Sequence, residues 1–81
     1  MLEQQGFRCS YSGLPLKIGV NAQVDHKVPR SRGGTNNVEN LHWVDGQVNR
    51  MKTDFTHEEF LAMCTTVVEL WQKKQNQLRI A

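Results

Sequence analysis

The chain has 81 residues, of which 38% are hydrophobic and 22% are charged, and its formal net charge is +2. This length suits one domain, which we place over residues 1–81, and no apolar run approaches the roughly 20 residues that cross a membrane. The sequence lacks a basic segment followed by an apolar one near its beginning, so we predict no secretory signal, a cytoplasmic location and free cysteine thiols.

Positive charge is concentrated in the first part of the chain. Residues 1–52 hold seven basic and four acidic residues, which gives +3, whereas residues 53–81 hold three basic and four acidic residues, which gives −1. A bias of this size permits a polyanionic partner such as DNA but does not establish one.

The first predicted elements are a possible short helix around residues 2–5, a turn at Gly13 and Pro15, and two strands. The strands cover residues 22–28 and 39–44, and the first ends before Pro29 because the residue that precedes a proline is pushed toward extended geometry. The segment between them, RSRGGTNN, is predicted to be a loop with Gly-Gly punctuation. Asp45 is a plausible N-cap for a short helix that runs to Lys52. This order indicates a ββα unit over about residues 20–52.

A longer helix is predicted over about residues 56–76. Thr56 and Glu59 have the spacing of a capping box, and Phe55 and Phe60 are placed as its hydrophobic staple. Apolar residues then recur at helical spacing, namely Phe60, Cys64, Val67, Val68 and Trp71. We interpret this stripe as core scaffolding, with a partner-binding helix as the weaker alternative. The predicted core consists of Trp43, Val48, Phe55, Phe60 and Trp71.

Four polar residues of the ββα unit suit one type of chemistry. Asp25 and Asn49 offer hard oxygen ligands, and few such ligands together with water and phosphate oxygens describe a Mg²⁺-like site. His26 is then available as a general base near neutral pH, and Asn40 can form a hydrogen bond that orients its imidazole. Because neighbouring side chains of a regular strand point to opposite faces, Asp25 and His26 share a site only if the strand ends or is distorted there.

The stretch VDHKVPRSRGGTNNVENLHWVDGQVNRMK resembles the HNH endonucleases of phages and mobile introns, which have the α+β, ββα-metal fold. The resemblance rests on Asp-His, a Pro-x-Ser-x-Gly-Gly loop, Asn-Leu and Asn-x-x-Lys in that order. It implies that His26 is the general base, that Asn40 orients it, and that Asp25 and Asn49 hold one Mg²⁺ or Mn²⁺ ion. It further implies a metal-dependent DNA endonuclease or nickase that leaves 5′-phosphate and 3′-hydroxyl ends, in a bacterial or phage-infected cell.

One feature of many HNH proteins is reduced in this sequence. Where those proteins carry two Cys-x-x-Cys pairs that bind a structural zinc, this chain has Cys9 with Ser12 and Asp45 with Val48. Four zinc ligands cannot be assembled from these residues, so we predict that the domain holds no structural zinc.

Basic residues near the site are predicted to contact the nucleic-acid backbone, although each also has an ordinary explanation as a solvated charge. They are Lys27, Arg30, Arg32, Arg50 and Lys52. For His42, a DNA-facing role and no role remain equally open. Two alternatives to an active nuclease also remain, namely a non-catalytic nucleic-acid-binding module and a catalytic fragment of a larger enzyme. We expect a monomer, because no dimer interface is legible in the sequence.

Overall fold

The computed structural model describes the backbone of residues 2–80 and the side chains of residues 2–76. Its elements are strand β1 (Ala22–His26), strand β2 (Leu41–Asp45), helix α1 (Gly46–Lys52) and helix α2 (His57–Ile80). Two single turns of 3-10 helix, Arg30–Arg32 and Val38–Asn40, lie in the connection between the strands. The strands form an antiparallel pair, so the predicted α+β fold with a ββα unit is confirmed.

The first strand is shorter than the sequence predicted, and the second strand begins later. β1 ends at His26 rather than at residue 28, because the Lys27 N–H donates to the carbonyl oxygen of Asn40 (2.8 Å) and the Val28 N–H donates to its side-chain oxygen (2.9 Å). β2 begins at Leu41 rather than at residue 39, since the residues before it form a 3-10 turn. The side chain of one asparagine therefore replaces the regular ladder at this end of the hairpin.

Local capping signals position both helices as the sequence predicted. The Asp45 side chain accepts a hydrogen bond from the Gln47 N–H at 2.9 Å, and it caps α1. At the start of α2, the Thr56 N–H donates to Oε1 of Glu59 (2.9 Å) and the Glu59 N–H donates to Oγ1 of Thr56 (3.2 Å). These reciprocal bonds are a capping box, so this prediction is confirmed.

The segment before β1 is a set of turns. The short helix predicted around residues 2–5 is wrong, because Gln5 and Phe7 both donate their N–H groups to the carbonyl oxygen of Leu2 and no regular helix follows. The turn predicted at Gly13 is confirmed, and this glycine has a φ of +73°, which favours a residue without a side chain.

The hydrophobic core lies between the N-terminal turns and the hairpin. It is formed by Leu2, Cys9, Leu16 and Val44, with Trp43 and Val48 packed at its edge. Phe60 is buried, as predicted, but Trp71 is 60% exposed, so its assignment to the core is wrong. Cys9 and Cys64 are free thiols, as predicted.

Among the described side chains of helix α2, the buried one, Phe60, lies near its beginning. After Phe60, the apolar residues Val67, Val68 and Trp71 are exposed, so the predicted role of this stripe as core scaffolding is wrong for most of the helix. The helix nevertheless extends over 24 residues. No helix among residues 2–80 is long and apolar enough to span a membrane.

Candidate active site

A pocket of about 290 Å³ lies where β1 ends. Three of the predicted site residues line it, Asp25, His26 and Asn49, together with the predicted phosphate-binding residue Arg30. The remaining lining residues are Val24, Pro29 and Thr53. Asp25 and His26 reach the same pocket although they are neighbours on the chain, because β1 ends at His26 and strand alternation stops there.

The imidazole of His26 is held by a residue of the loop. Its Nε2 atom lies 2.8 Å from Oδ1 of Asn36. Because an amide oxygen only accepts hydrogen bonds, Nε2 is the donor in this arrangement, and in the neutral ring Nδ1 then carries the lone pair. The sequence indicated only that Asn36 lies in the loop between the strands, and its contact with His26 is the first interaction that the sequence did not indicate.

Asn40 holds the loop rather than the imidazole. Its amide donates to the carbonyl oxygens of Val28 (3.1 Å) and Thr35 (2.8 Å), and its oxygen accepts from the Val28 N–H. Within the described side chains it makes no hydrogen bond with His26, so the direct contact suggested by the sequence is absent. Asn40 instead ties together the two ends of the loop that carries Asn36, and its contact with His26 is therefore indirect.

The Gly-Gly pair lets this loop close tightly. A Cβ atom on Gly34 would lie 1.7 Å from the carbonyl oxygen of Val28, and Gly33 has a φ of +90°. The Gly34 N–H donates to the carbonyl oxygen of Pro29 at 2.9 Å. The first position therefore needs a left-handed backbone, and the second needs the absence of a side chain.

The backbone of Lys27, the residue after His26, is held by two hydrogen bonds. The Lys27 N–H donates to Asn40, and the Lys27 carbonyl oxygen accepts from the N–H of His57, the first residue of α2, at 2.8 Å. The hairpin and α2 consequently meet at the backbone beside His26.

Asp25 lies at the boundary between the pocket and the interior. It is 5% exposed, and its Oδ2 atom lies 2.6 Å from Nε2 of His42, which is also 5% exposed. Its Oδ1 atom lies 3.2 Å from Nζ of Lys52, which is 0% exposed and also donates to the carbonyl oxygen of His26 at 2.9 Å. The exposed, DNA-facing position considered for His42 is therefore wrong.

The five basic residues predicted to contact nucleic acid occupy different environments. Arg30 is exposed at the pocket, and Lys27 is half-buried beside it. Arg32 is exposed and paired with Glu59, whose pKa is lowered by this guanidinium. Arg50 lines a separate pocket. The predicted contact of Lys52 with nucleic acid is wrong, because a fully buried ammonium group that is paired with a carboxylate cannot reach a DNA phosphate.

Asn49 faces the pocket from α1. Its Nδ2 atom donates to Oε1 of Gln23 at 2.9 Å, which leaves its amide oxygen, Oδ1, available to a ligand. Asp25 is the only carboxylate among the residues that line the pocket, so a cation there would have one charged protein ligand.

At the position of the reduced zinc pairs, the thiol of Cys9 is a hydrogen-bond acceptor. Its Sγ atom lies 3.4 Å from the N of Ser12 and 3.3 Å from the N of Asp45. Burial raises the pKa of this thiol, but the hydrogen bonds from Ser12 and Asp45 lower the pKa more, and the net shift is downward. In the described part of the chain, no three His, Cys, Asp or Glu side chains are grouped so that they could hold a metal. The prediction of a domain without structural zinc stays a prediction.

The family model described as HNH endonuclease matches residues 9–57, which is more than half of the chain. The chain belongs to the HNH endonuclease family. A comparison with curated protein sequences gives no match. HNH endonucleases are nucleases that act on nucleic acids, generally with a divalent metal, and the pocket residues lie inside the matched segment. The match ends at the first residue of α2, so most of that helix lies beyond the part of the chain that carries the HNH pattern.

Three residues at this HNH site were missed from the sequence, and each has a physical reason. His42 stands directly opposite Asp25 in the hairpin. This register could not be predicted, because the irregular loop between the strands does not determine which residues of the two strands pair. Asn36 reaches the base only because the loop folds back on itself. Ser10 is distant in sequence, and its hydroxyl lies 2.8 Å from Nδ1 of His42.

Proposed function

We propose that this chain hydrolyses phosphodiester bonds of DNA, as an endonuclease or a nickase, with His26 as the general base. The observation that carries the proposal is the single pocket shared by His26, Asp25, Asn49 and Arg30. Phosphodiester hydrolysis needs a general base, oxygen ligands for a metal ion and a positive charge near the phosphate. In this pocket His26, the pair Asp25 and Asn49, and the Arg30 guanidinium can supply these groups.

The hydrogen bond from His26 to Asn36 supports the role of the base. With Nε2–H donated to the amide, the lone pair of Nδ1 is free to take a proton from an attacking water molecule. The bond also limits rotation of the ring, which keeps the lone pair aimed in one direction. Asn40 contributes by holding the loop that carries Asn36.

The ligands present fit a hard divalent cation. A carboxylate oxygen of Asp25 and the amide oxygen of Asn49 would hold a Mg²⁺ or Mn²⁺ ion, which takes its remaining ligands from water and phosphate. The absence of Cys among the residues that line the pocket disfavours zinc at this site. Such an ion supplies positive charge that stabilises the phosphorus centre and the departing 3′ oxygen, which is consistent with products that carry 5′-phosphate and 3′-hydroxyl ends.

Arg30 is the residue best placed to receive a phosphate group, because it is exposed and lines the same pocket as the base. Lys27 and Arg32 lie close to Arg30 in the sequence, in the connection between the strands. Arg32 is paired with Glu59, and this ion pair must break or rearrange before the guanidinium can contact DNA. Contacts to phosphate position the duplex but carry no base information. We therefore expect the isolated chain to cut with weak sequence specificity.

The proposal is tested by nicking of a supercoiled plasmid in the presence of Mg²⁺ or Mn²⁺. His26→Ala is expected to lower the rate by about 100- to 10,000-fold, since a positioned general base contributes about that factor. His57→Ala is the matched control, because this histidine lies outside the pocket and is expected to retain the parent rate.

Equal cutting by the parent protein and His26→Ala would show that His26 is not the base. Salt-sensitive DNA binding without metal-dependent cutting in the parent protein would favour the non-catalytic binding module instead.

A further inference from the structure

A buried polar cluster lies directly beneath the pocket. It consists of Asp25, His42 and Lys52, all of which are at most 5% exposed. Asp25 and His42 face each other across the hairpin, one from each strand, and Lys52 reaches Asp25 from the last turn of α1. No buried side-chain nitrogen or oxygen atom lacks a hydrogen-bond partner in the described part of the chain. The cluster is thus fully satisfied without help from a ligand.

Each carboxylate oxygen of Asp25 has its own partner. His42 donates from Nε2 to Oδ2 at 2.6 Å, and Lys52 stands 3.2 Å from Oδ1. The plane of the carboxylate is consequently fixed by two contacts from different elements. Since Asp25 also lines the pocket, the same contacts determine how its remaining lone pairs face an incoming cation.

The far side of the His42 ring is anchored as well. Its Nδ1 atom lies 2.8 Å from the hydroxyl oxygen of Ser10, and a hydroxyl group can donate to it. One tautomer, with the hydrogen on Nε2, therefore satisfies Ser10, His42 and Asp25 together. The edge of the ring meets the ring of Tyr11 with their centroids 4.8 Å apart, which hinders its rotation.

We propose that His42 is a positioning residue for the metal ligand Asp25, and that Ser10 holds His42 in the tautomer this role requires. The inference rests on the proposed function, because it takes Asp25 to be a metal ligand. Hydrogen bonds that orient the ligands of a metal typically contribute about 10- to 100-fold to metal affinity. A residue that only filled space would contribute nothing specific to binding of a cation.

The experiment is a titration of the purified chain with Mn²⁺, in which free Mn²⁺ is counted by electron paramagnetic resonance in the absence of DNA. His42→Phe keeps an aromatic ring but removes the donor, and we expect it to weaken Mn²⁺ binding by about 10- to 100-fold. His42→Gln replaces the Nε2–H by an amide N–H, and we expect it to recover most of that loss.

Two further variants separate the possible failures. His57→Phe changes a histidine whose ring lies 6.2 Å from that of His42 and stacks on Tyr11, but which has no hydrogen bond to Asp25 or His42. Because phenylalanine keeps the aromatic packing against both rings, this variant is expected to bind Mn²⁺ as the parent does. Ser10→Ala alters an exposed residue and is the variant to rely on if His42→Phe fails to fold, as judged by circular dichroism. We expect it to weaken binding several-fold, at the lower end of the range for His42→Phe.

Asp25→Asn shows which hypothesis has failed. If Asp25→Asn binds Mn²⁺ as tightly as the parent, the proposed metal site is wrong and the inference falls with it. If Asp25→Asn weakens binding while Ser10→Ala and a folded His42→Phe do not, the metal site stands and the positioning role of His42 is overturned. Equal losses in His42→Phe and His42→Gln would also overturn it, because the donor would then not matter.

Discussion

At the scale of single residues, Lys52 departs most from what its sequence context suggested. On an exposed helix it would be one more cation available to DNA, but α1 turns it inward to Asp25. A buried ammonium group is tolerated only when it is paired and hydrogen-bonded, and Lys52 has both a carboxylate and a carbonyl partner. Its role is therefore to neutralise Asp25 inside the protein.

We predict that Lys52→Met lowers the free energy of unfolding by about 3–5 kcal/mol, because it leaves a buried carboxylate without its cation. Arg50→Met is the matched control, since it removes the same charge from an exposed position of α1 and should change stability by no more than about 0.5 kcal/mol. Urea denaturation of both variants measures the difference.

The double variant Asp25→Asn with Lys52→Met is expected to recover part of the loss, because no unpaired charge is then buried. If Lys52→Met were as stable as Arg50→Met, the ion pair would not contribute to the fold.

The cap of α1 predicts a dependence on pH. The side-chain hydrogen bond from Asn21 and the N–H of Gln47 lower the pKa of Asp45. A carboxyl group with a lowered pKa stabilises the fold above its unfolded pKa, and this contribution is lost as the pH falls through the folded value. We expect the melting temperatures of the parent and Asp45→Asn to differ at pH 7, to begin to converge near the ordinary aspartate pKa of about 3.9, and to meet only below the lowered pKa of the folded protein. A difference that stays constant between these conditions would contradict the assignment.

At the scale of elements, the loop between the strands determines how the His26 ring is held. Asn40 joins its two ends, Gly34 allows the close approach, and Asn36 contacts His26. These contacts are tertiary, so only the presence of a loop, and not its shape, could be predicted from the Gly-Gly signal.

We predict that Gly34→Ala reduces nicking activity at least about 10-fold. The new methyl group would meet backbone that cannot move aside without displacing Asn36. Each 1.4 kcal/mol that this displacement adds to the activation free energy lowers the rate about tenfold. Gly33→Ala is the comparison. It has open space around its Cβ position and costs only the strain of a left-handed backbone, about 1–2 kcal/mol of stability. Plasmid nicking and thermal melting distinguish the two variants, and a Gly34→Ala protein with parent activity would show that the loop shape is not required.

Local signals explain why the order of the elements could be predicted. Asp45, Thr56 and Glu59 act within three residues of their partners, so their caps could be read directly from the sequence. The pairing of Asp25 with His42 depends instead on a cross-strand register that the long connection leaves open. The candidate site was thus predicted as a set of pocket residues, whereas the residues that support them were not.

At the scale of the whole molecule, α2 is the element whose role the sequence misjudged. A stripe of apolar residues at helical spacing shows that one face is apolar, but it does not show what lies against that face. Phe60 is buried against the domain, whereas Trp71 lies three turns further along α2 and is exposed.

We predict that Phe60→Ala lowers the free energy of unfolding by about 3–5 kcal/mol, because it empties a buried position. Trp71→Ala removes a larger aromatic side chain but should change stability by no more than about 0.5 kcal/mol. Denaturant unfolding at two protein concentrations provides the measurement. A large loss for Trp71→Ala that depends on concentration would mean that this face is covered by another copy in solution.

The hydrogen bond between the N–H of His57 and the carbonyl group of Lys27 has a consequence for distance measurements on this protein. With 24 residues at about 1.5 Å each, the axis of α2 is about 36 Å long. One end of this rod is bonded to Lys27, the residue beside His26. A fluorophore attached at the exposed position of Trp71 would therefore stand at a distance from His26 that the helix defines, and α2 could serve as a ruler.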